Sequence, residues 1–215
     1  MALSFPLSLA NFFGEMCHVS ASFHLPPAVI TNRRADGELV VTGYATRLWE
    51  GTVELKAQTP QPMEDVLALL RRLEAPDAKF SVTPRHARIP RAESTGPSAA
   101  IQSINANRRS LAFASLPVGF TLSRGDYVSF VTGSGDGQRF HLHQLVEGAS
   151  ANGSGVMVQL DIVPDLHPAV TTGIAVVLQQ PRCIARMIPG SVEVSSHPRR
   201  GFTEGARFAW RQTYR

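Results

Sequence analysis

The feature that most constrains this chain is a period-two alternation that keeps recurring between short turns. Runs such as "SLAFASLP", "DYVSFVT", "RFHLHQLV", "GVMVQLDIVP" and "GIAVVLQQP" are separated by Gly- or Pro-containing turns at intervals of roughly 8 to 15 residues. Successive side chains of a strand point to opposite faces, so an alternating run is a strand with one buried face. Gly and Pro number 17 and 15 and are spread along the chain, which favours many short elements over long helices. With 215 residues, 43% of them hydrophobic, the chain can bury a substantial core as one large domain or two small ones. The expectation is a mainly β protein with one amphipathic helix: a first β domain over residues 1–90, a linker over 91–110, and a second β-barrel or sandwich domain over 111–199.

The helix is predicted in "TPQPMEDVLALLRRLEAP". Met63, Val66, Leu67, Leu70 and Leu73 fall on one stripe at i, i+3, i+4 spacing and should pack across a sheet. Pro62 suits a first-turn position, Glu64 and Asp65 complement the positive end of the dipole, Arg71 and Arg72 stand near the other end, and Pro76 stops the helix. Before it, "ELVVTGYATRLWEGTVELKAQ" holds two alternating stretches separated at Trp49-Glu50-Gly51.

The apolar start, "MALSFPLSLANFFGEMCHV", does not read as a secretory signal. It has no basic residue before Arg33, and Pro6 and Asn11 interrupt it. Leu3, Phe5, Leu7 and Leu9 alternate with small or polar residues, so the segment is expected to be extended and part of the fold. No run approaches the length of a transmembrane helix, and no membrane association is expected. The Asn152-Gly-Ser154 sequon carries no weight in a chain without export. Of 21 basic residues only Lys56 and Lys79 are lysines. The arginines form scattered pairs, and with a net charge of +4 they do not make a nucleic-acid footprint. Cys17 and Cys183, far apart and outside any CxxC, are expected to be buried thiols.

Residues 120–146, "FTLSRGDYVSFVTGSGDGQRFHLHQLV", hold three tempting motifs. Arg124-Gly125-Asp126 could bind a receptor, but Gly-Asp is also an entry turn into a strand. The loop Gly133-Ser-Gly-Asp-Gly137 lacks the Lys-Ser/Thr of a P-loop and the repeated acidic ligands of an EF-hand. Placed between two alternating runs, it reads as a hairpin loop needing positive φ. His141 and His143 are the best metal candidates, since period two sets both imidazoles on one face, opposite Phe140 and Leu142. Zinc needs further ligands, and none stands at a recognisable spacing. The pair is therefore read as histidines on a solvated or interface face. Other catalytic signatures are absent, so no enzyme activity and no cofactor is expected.

Several segments, in order, resemble one family of bacteriophage tail proteins: "FPLSLANFFGEM", "ATRLWEGTVELKAQ", "LPVGFTLSRGDYVSFV", "RFHLHQLVEGASANGSG", "IVPDLHP", "IPGSV" and "GFTEGARFAWRQTYR". The family occurs in siphophages and prophages of alphaproteobacteria and is similar to distal tail proteins. The resemblance spans nearly the whole chain. It implies a tail-tube-like β-sandwich domain with one helix, a second β domain outside it, and a last strand at 200–215 that can return to the first domain. It also implies a non-enzymatic, hexameric ring in the virion tail tip, between the tail tube protein and the hub or baseplate proteins. Genomic DNA would pass through such a ring without specific binding.

Within that plan the stretch 39–57 is the candidate inter-subunit or channel-wall hairpin, with Leu39, Val41, Tyr44, Trp49, Val53 and Leu55 its side chains. Trp49 is placed more readily in the core under the helix. Arg33, Arg34 and Arg85 to Arg91 are expected to point away from the channel, because phosphate contacts would hold the DNA. Two alternatives come from other classes: a carbohydrate- or receptor-binding β module, and a metal-dependent hydrolase using His141 and His143.

Overall fold

A computed structural model describes residues 4–9, 12, 18–56, 60–84, 98–197 and 202–214. In chain order the elements are β1 (His18–Ala21), β2 (Val29–Arg33), β3 (Leu39–Gly43), β4 (Glu50–Leu55), α1 (Pro60–Leu73), β5 (Phe80–Val82), β6 (Ala99–Ile104), β7 (Ser110–Ala114), β8 (Thr121–Leu122), β9 (Tyr127–Thr132), β10 (Arg139–Leu145), β11 (Ala149–Ser150), β12 (Met157–Val163), β13 (Ala175–Val177), β14 (Cys183–Met187), β15 (Glu193–His197) and β16 (Phe202–Thr213). The chain is mainly β with one helix among these residues.

The first layer is an antiparallel sheet in the order β1-β4-β16-β14-β5, with β15 pairing the first half of β16. Alternation decides its buried face: Val53 and Leu55 of β4, and Ala206, Phe208 and Trp210 of β16, are all buried. The apolar stripe of α1 covers this face. Met63, Leu70 and Leu73 are buried, Val66 and Leu67 half-buried, and the helix lies against β16. Gly51 sits opposite Trp210 in the β4–β16 register. A Cβ there would run into the Ser22 carbonyl and stand 2.9 Å from Cζ2 of Trp210, so only glycine permits the approach.

Two local expectations need correction. The helix begins at Pro60, so Glu64 and Asp65 lie beyond its first turn, which holds no acidic residue. Prolines are tolerated there because the first four N–H groups have no intrahelical partner anyway. The break after β3 also falls earlier than expected, at 44–49, and Glu50 and Gly51 belong to β4. Of the N-terminal segment expected to be extended, Leu7 forms an isolated bridge to Phe80, its N–H donating to the Lys79 carbonyl and its carbonyl accepting from the Ser81 N–H, both at 2.9 Å. Phe5 and Pro6, by contrast, bend and Leu9 turns. Leu7 is buried; Leu3 and Cys17 lie outside the described residues.

The second layer is a closed antiparallel barrel in the order β10-β12-β7-β6-β13-β9. Its core includes Ile101, Leu111, Phe113, Val128, Phe130, Leu160 and Val176. The expected boundaries at 91–110 and 111–199 are thereby corrected. Residues 99–104 form a barrel strand with Ile101 buried, and residues 183–197 belong to the sheet. The sequence signals a short strand near Ile101 to Ile104, and the structure extends it back to Ala99 and pairs it with β7 and β13. The barrel is spliced into the sheet layer. The chain leaves the sheet at Val82 and re-enters at Cys183, its direct register partner, and β16 closes the sheet between β4 and β14.

Candidate functional site

The six candidates of the 39–57 stretch separate into two groups. Trp49, Val53 and Leu55 are buried in the sheet core at 3%, 0% and 6% exposure, so they form no channel wall or subunit contact. Packing under the helix claims them. Leu39, Val41 and Tyr44 stand out in solvent at 59%, 53% and 66%. They belong to a hairpin formed by β2 and β3 alone, which pairs with no other strand among the described residues.

The hairpin follows from its sequence, since "VITNR" and "LVVTG" are β-branched runs around a turn at 34–37 where Gly37 takes φ 88°. The Glu38 N–H donates to Asp36 Oδ1 at 2.9 Å and Arg34 donates to Glu38 at 3.2 Å. In the register Thr31↔Val41 and Arg33↔Leu39, Val29, Leu39 and Val41 share one face with Arg33, while Ile30 lies on the other. The root is fixed by the half-buried Arg47, whose guanidinium donates to the Pro26 and Leu25 carbonyls at 3.2 and 2.7 Å. Beyond that root every residue of β2 and four of the five in β3 are exposed. Val29 and Ile30 belong with these candidates, and the two β-branched runs flanking the turn signal the whole hairpin.

The histidine pair is not on a solvated face. His141 and His143 are 1% and 2% exposed and both stack on the barrel-core ring of Phe130, with centroids 5.3 and 5.2 Å away. Leu142, between them, is buried in the sheet core. Consecutive residues of β10 thus serve two different cores, which a period-two pattern cannot reveal. His143 Nδ1–H donates to the Pro164 carbonyl at 2.8 Å, which fixes its tautomer, and His141 Nε2 meets the Thr132 hydroxyl at 2.9 Å. The other two nitrogens, His141 Nδ1 and His143 Nε2, are buried without a partner among the described residues.

Burial is the main cause that lowers both pKa values, to about 3 for His141, with the neighbouring His143, His167 and Arg139 adding to it, and to about 4 for His143. Both rings are neutral at pH 7. No group of three or more His, Cys, Asp or Glu among the described residues is gathered to hold a metal ion, and the two imidazoles are buried. The geometry gives no support to the hydrolase alternative.

The other motifs resolve into architecture. Asp126 of the Arg-Gly-Asp triplet is 6% exposed and accepts from the Ser123 N–H at 2.8 Å, Gly125 takes φ 91°, and Arg124 donates to the Val146 carbonyl at 2.8 Å. The carboxylate caps the turn into β9 and is not offered to a receptor. Residues 133–138 are the β9–β10 hairpin loop, with Gly133 and Gly135 at positive φ. Asn152 uses its Oδ1 to accept from the Ser154 and Val156 N–H groups. Cys183 is buried, and burial raises its thiol pKa. Arg85 to Arg91 lie outside the described residues. No helix among the described residues is long and apolar enough to cross a membrane.

Layer and barrel meet along β10. The Trp49 indole N–H donates to the Leu142 carbonyl at 2.8 Å, the Trp49 and Tyr127 rings lie 5.6 Å apart, and Tyr214, just past β16, packs its ring 5.3 Å from those of both His141 and His167. Compared with known protein families and with curated proteins, the chain matches no family model and no curated protein.

Proposed function

We propose that this protein is a structural subunit of a siphophage tail, a distal tail protein whose copies close into a hexameric ring around the DNA channel. The observation that carries the reading is the β2–β3 hairpin. A two-stranded ribbon is at best marginally stable in water by itself, yet this one extends from a fixed root with Val29, Ile30, Leu39, Val41 and Tyr44 exposed. A neighbouring copy that covers the Val29, Leu39 and Val41 face completes its burial, and ring closure gives every hairpin the same environment. That placement also keeps Arg33, on the same face, away from the channel wall, so passing DNA meets no dense positive charge.

The ordered resemblance of "FPLSLANFFGEM" through "GFTEGARFAWRQTYR" to phage tail proteins supplies the setting. In it the ring sits in the virion at the tail tip, contacts the tail tube protein on one side and hub or baseplate proteins on the other, and needs no cofactor or catalysis. Negative-stain microscopy of the purified protein, with light scattering, tests the reading. Closed rings that are lost on Val41→Ser with Tyr44→Ser, while the circular dichroism spectrum is kept, are the expected result. A stable monomer at high concentration, or absence of the protein from purified virions, would overturn it.

A further inference from the structure

The barrel is closed unevenly. β10 pairs with β9 through six register positions, Arg139 to Gln144, but with β12 through only Gln144↔Val163 and Leu145↔Ile162. Where the β10–β12 ladder stops, histidines take over the closure. His143 reaches across to the Pro164 carbonyl immediately after β12, and Arg139 Nη1 donates to Nε2 of His167 at 3.1 Å on the same segment. His141 packs between these contacts, its ring 5.8 Å from His167.

We infer that the β10–β12 seam is a proton-sensitive latch: neutral imidazoles hold it shut, and acidification opens the barrel there while the sheet layer stays folded. A proton on His143 must go to Nε2, because Nδ1 already carries the hydrogen donated to Pro164. Nε2 is buried beside Phe130 with no acceptor among the described residues. A proton on His141 meets the same difficulty at Nδ1; at Nε2 it can use the Thr132 hydroxyl as acceptor but leaves the Nδ1–H unpartnered among the described residues. An unpartnered charge in an apolar interior is costly, and opening the seam to water removes that cost.

The groups facing the pair do not rescue the charge. From β9 come Thr132, Phe130 and Val128, none titratable, and from the far end of β16 comes Tyr214. Arg139 and His167 oppose protonation of His141, and Arg139 and Arg108 also lower the pKa of His167, after desolvation. The hydrogen bond to the Pro164 carbonyl and, after it, Asp165 favour a charged His143, and burial outweighs both.

Because the closed-state pKa values lie below the ordinary value near 6.5, the seam is tightest above that pH and weakens as pH falls toward 4. If opening frees both rings, the open-to-closed ratio rises on the order of several thousandfold between pH 7.5 and 4.5, and about a hundredfold if it frees one.

Hydrogen exchange of the full chain, corrected for the intrinsic pH dependence of exchange, reads this directly. Amides of β10 and β12 are expected to lose protection by about a hundredfold or more between pH 7.5 and 4.5, while β4 and the second half of β16 keep theirs. His141→Gln with His143→Asn retains side-chain hydrogen-bonding groups without the titration and should hold the seam shut at pH 4.5. Unchanged β10 protection in the natural protein, loss from β4 and β16 in step with β10, or equal opening in the double variant would each overturn the inference. Should the double variant not fold, the comparison of strands in the natural protein decides alone.

Discussion

Two Trp→Phe substitutions separate what hydrogen bonding contributes to the joint between sheet and barrel from what packing contributes. Trp49 and Trp210 are both buried, at 3% and 0% exposure. The Trp49 N–H donates to the Leu142 carbonyl across the joint, whereas the Trp210 N–H has no partner among the described residues. Each change to Phe removes a similar slice of ring, costing about 1–2 kcal/mol in lost packing. Trp49→Phe additionally deprives a buried carbonyl of a donor, for about 1–3 kcal/mol. Trp210→Phe leaves nothing newly unpaired and relieves an unsatisfied donor.

Trp49→Phe should therefore be the more destabilising by about 2 kcal/mol, or about 4–8 °C in melting temperature for a chain of this size. Since the chain has two tryptophans, each variant keeps one as its own fluorescence reporter in a urea titration. Equal losses, within about 0.5 kcal/mol of each other, would refute the assignment of a working bond at the joint and leave Trp49 as core filler.

Other expectations follow from single contacts. Gly51→Ala forces a methyl into the Ser22 carbonyl and toward Trp210 and should cost at least about 2 kcal/mol by thermal melting. Asp126→Ala leaves the Ser123 N–H without its acceptor and should cost about 1–2 kcal/mol in denaturant titrations. Val41→Ser with Tyr44→Ser, both at exposed positions, should change monomer stability by less than about 0.5 kcal/mol while abolishing assembly; a large loss of stability would mean the hairpin packs on its own chain. Cys183, buried with its thiol pKa raised by burial, should resist alkylation until denaturant is added, as mapped by mass spectrometry.

What the residues disclose in advance depends on whether a pattern has one physical cause. The stripe Met63, Val66, Leu67, Leu70 and Leu73 can only be the inner face of a helix, and the glycines of residues 133–137 can only serve a tight loop, so both are legible. The alternation of 39–43 looks like that of 50–55, yet one is exposed and the other is core. Period two reports that a face wants cover, and does not say whether the cover comes from the same chain. In "RFHLHQLV" the alternation assigns Leu142 to a core but hides that His141 and His143 enter another, because polarity suggests water for a ring that stacking and one carbonyl can satisfy. At 99–104 a short strand near Ile101 to Ile104 is legible, but its place in the barrel is not, because that is decided by neighbours far away in the chain.

The adjacency of Val82 and Cys183 gives the barrel the character of a cassette. A short turn joining those two positions would restore a continuous hairpin and leave the helix-covered sheet whole, so the module between them can be exchanged for another of different size without redrawing the sheet. Among the ties such a replacement must recreate are an acceptor for the indole of Trp49 and ring partners for Trp49 and Tyr214.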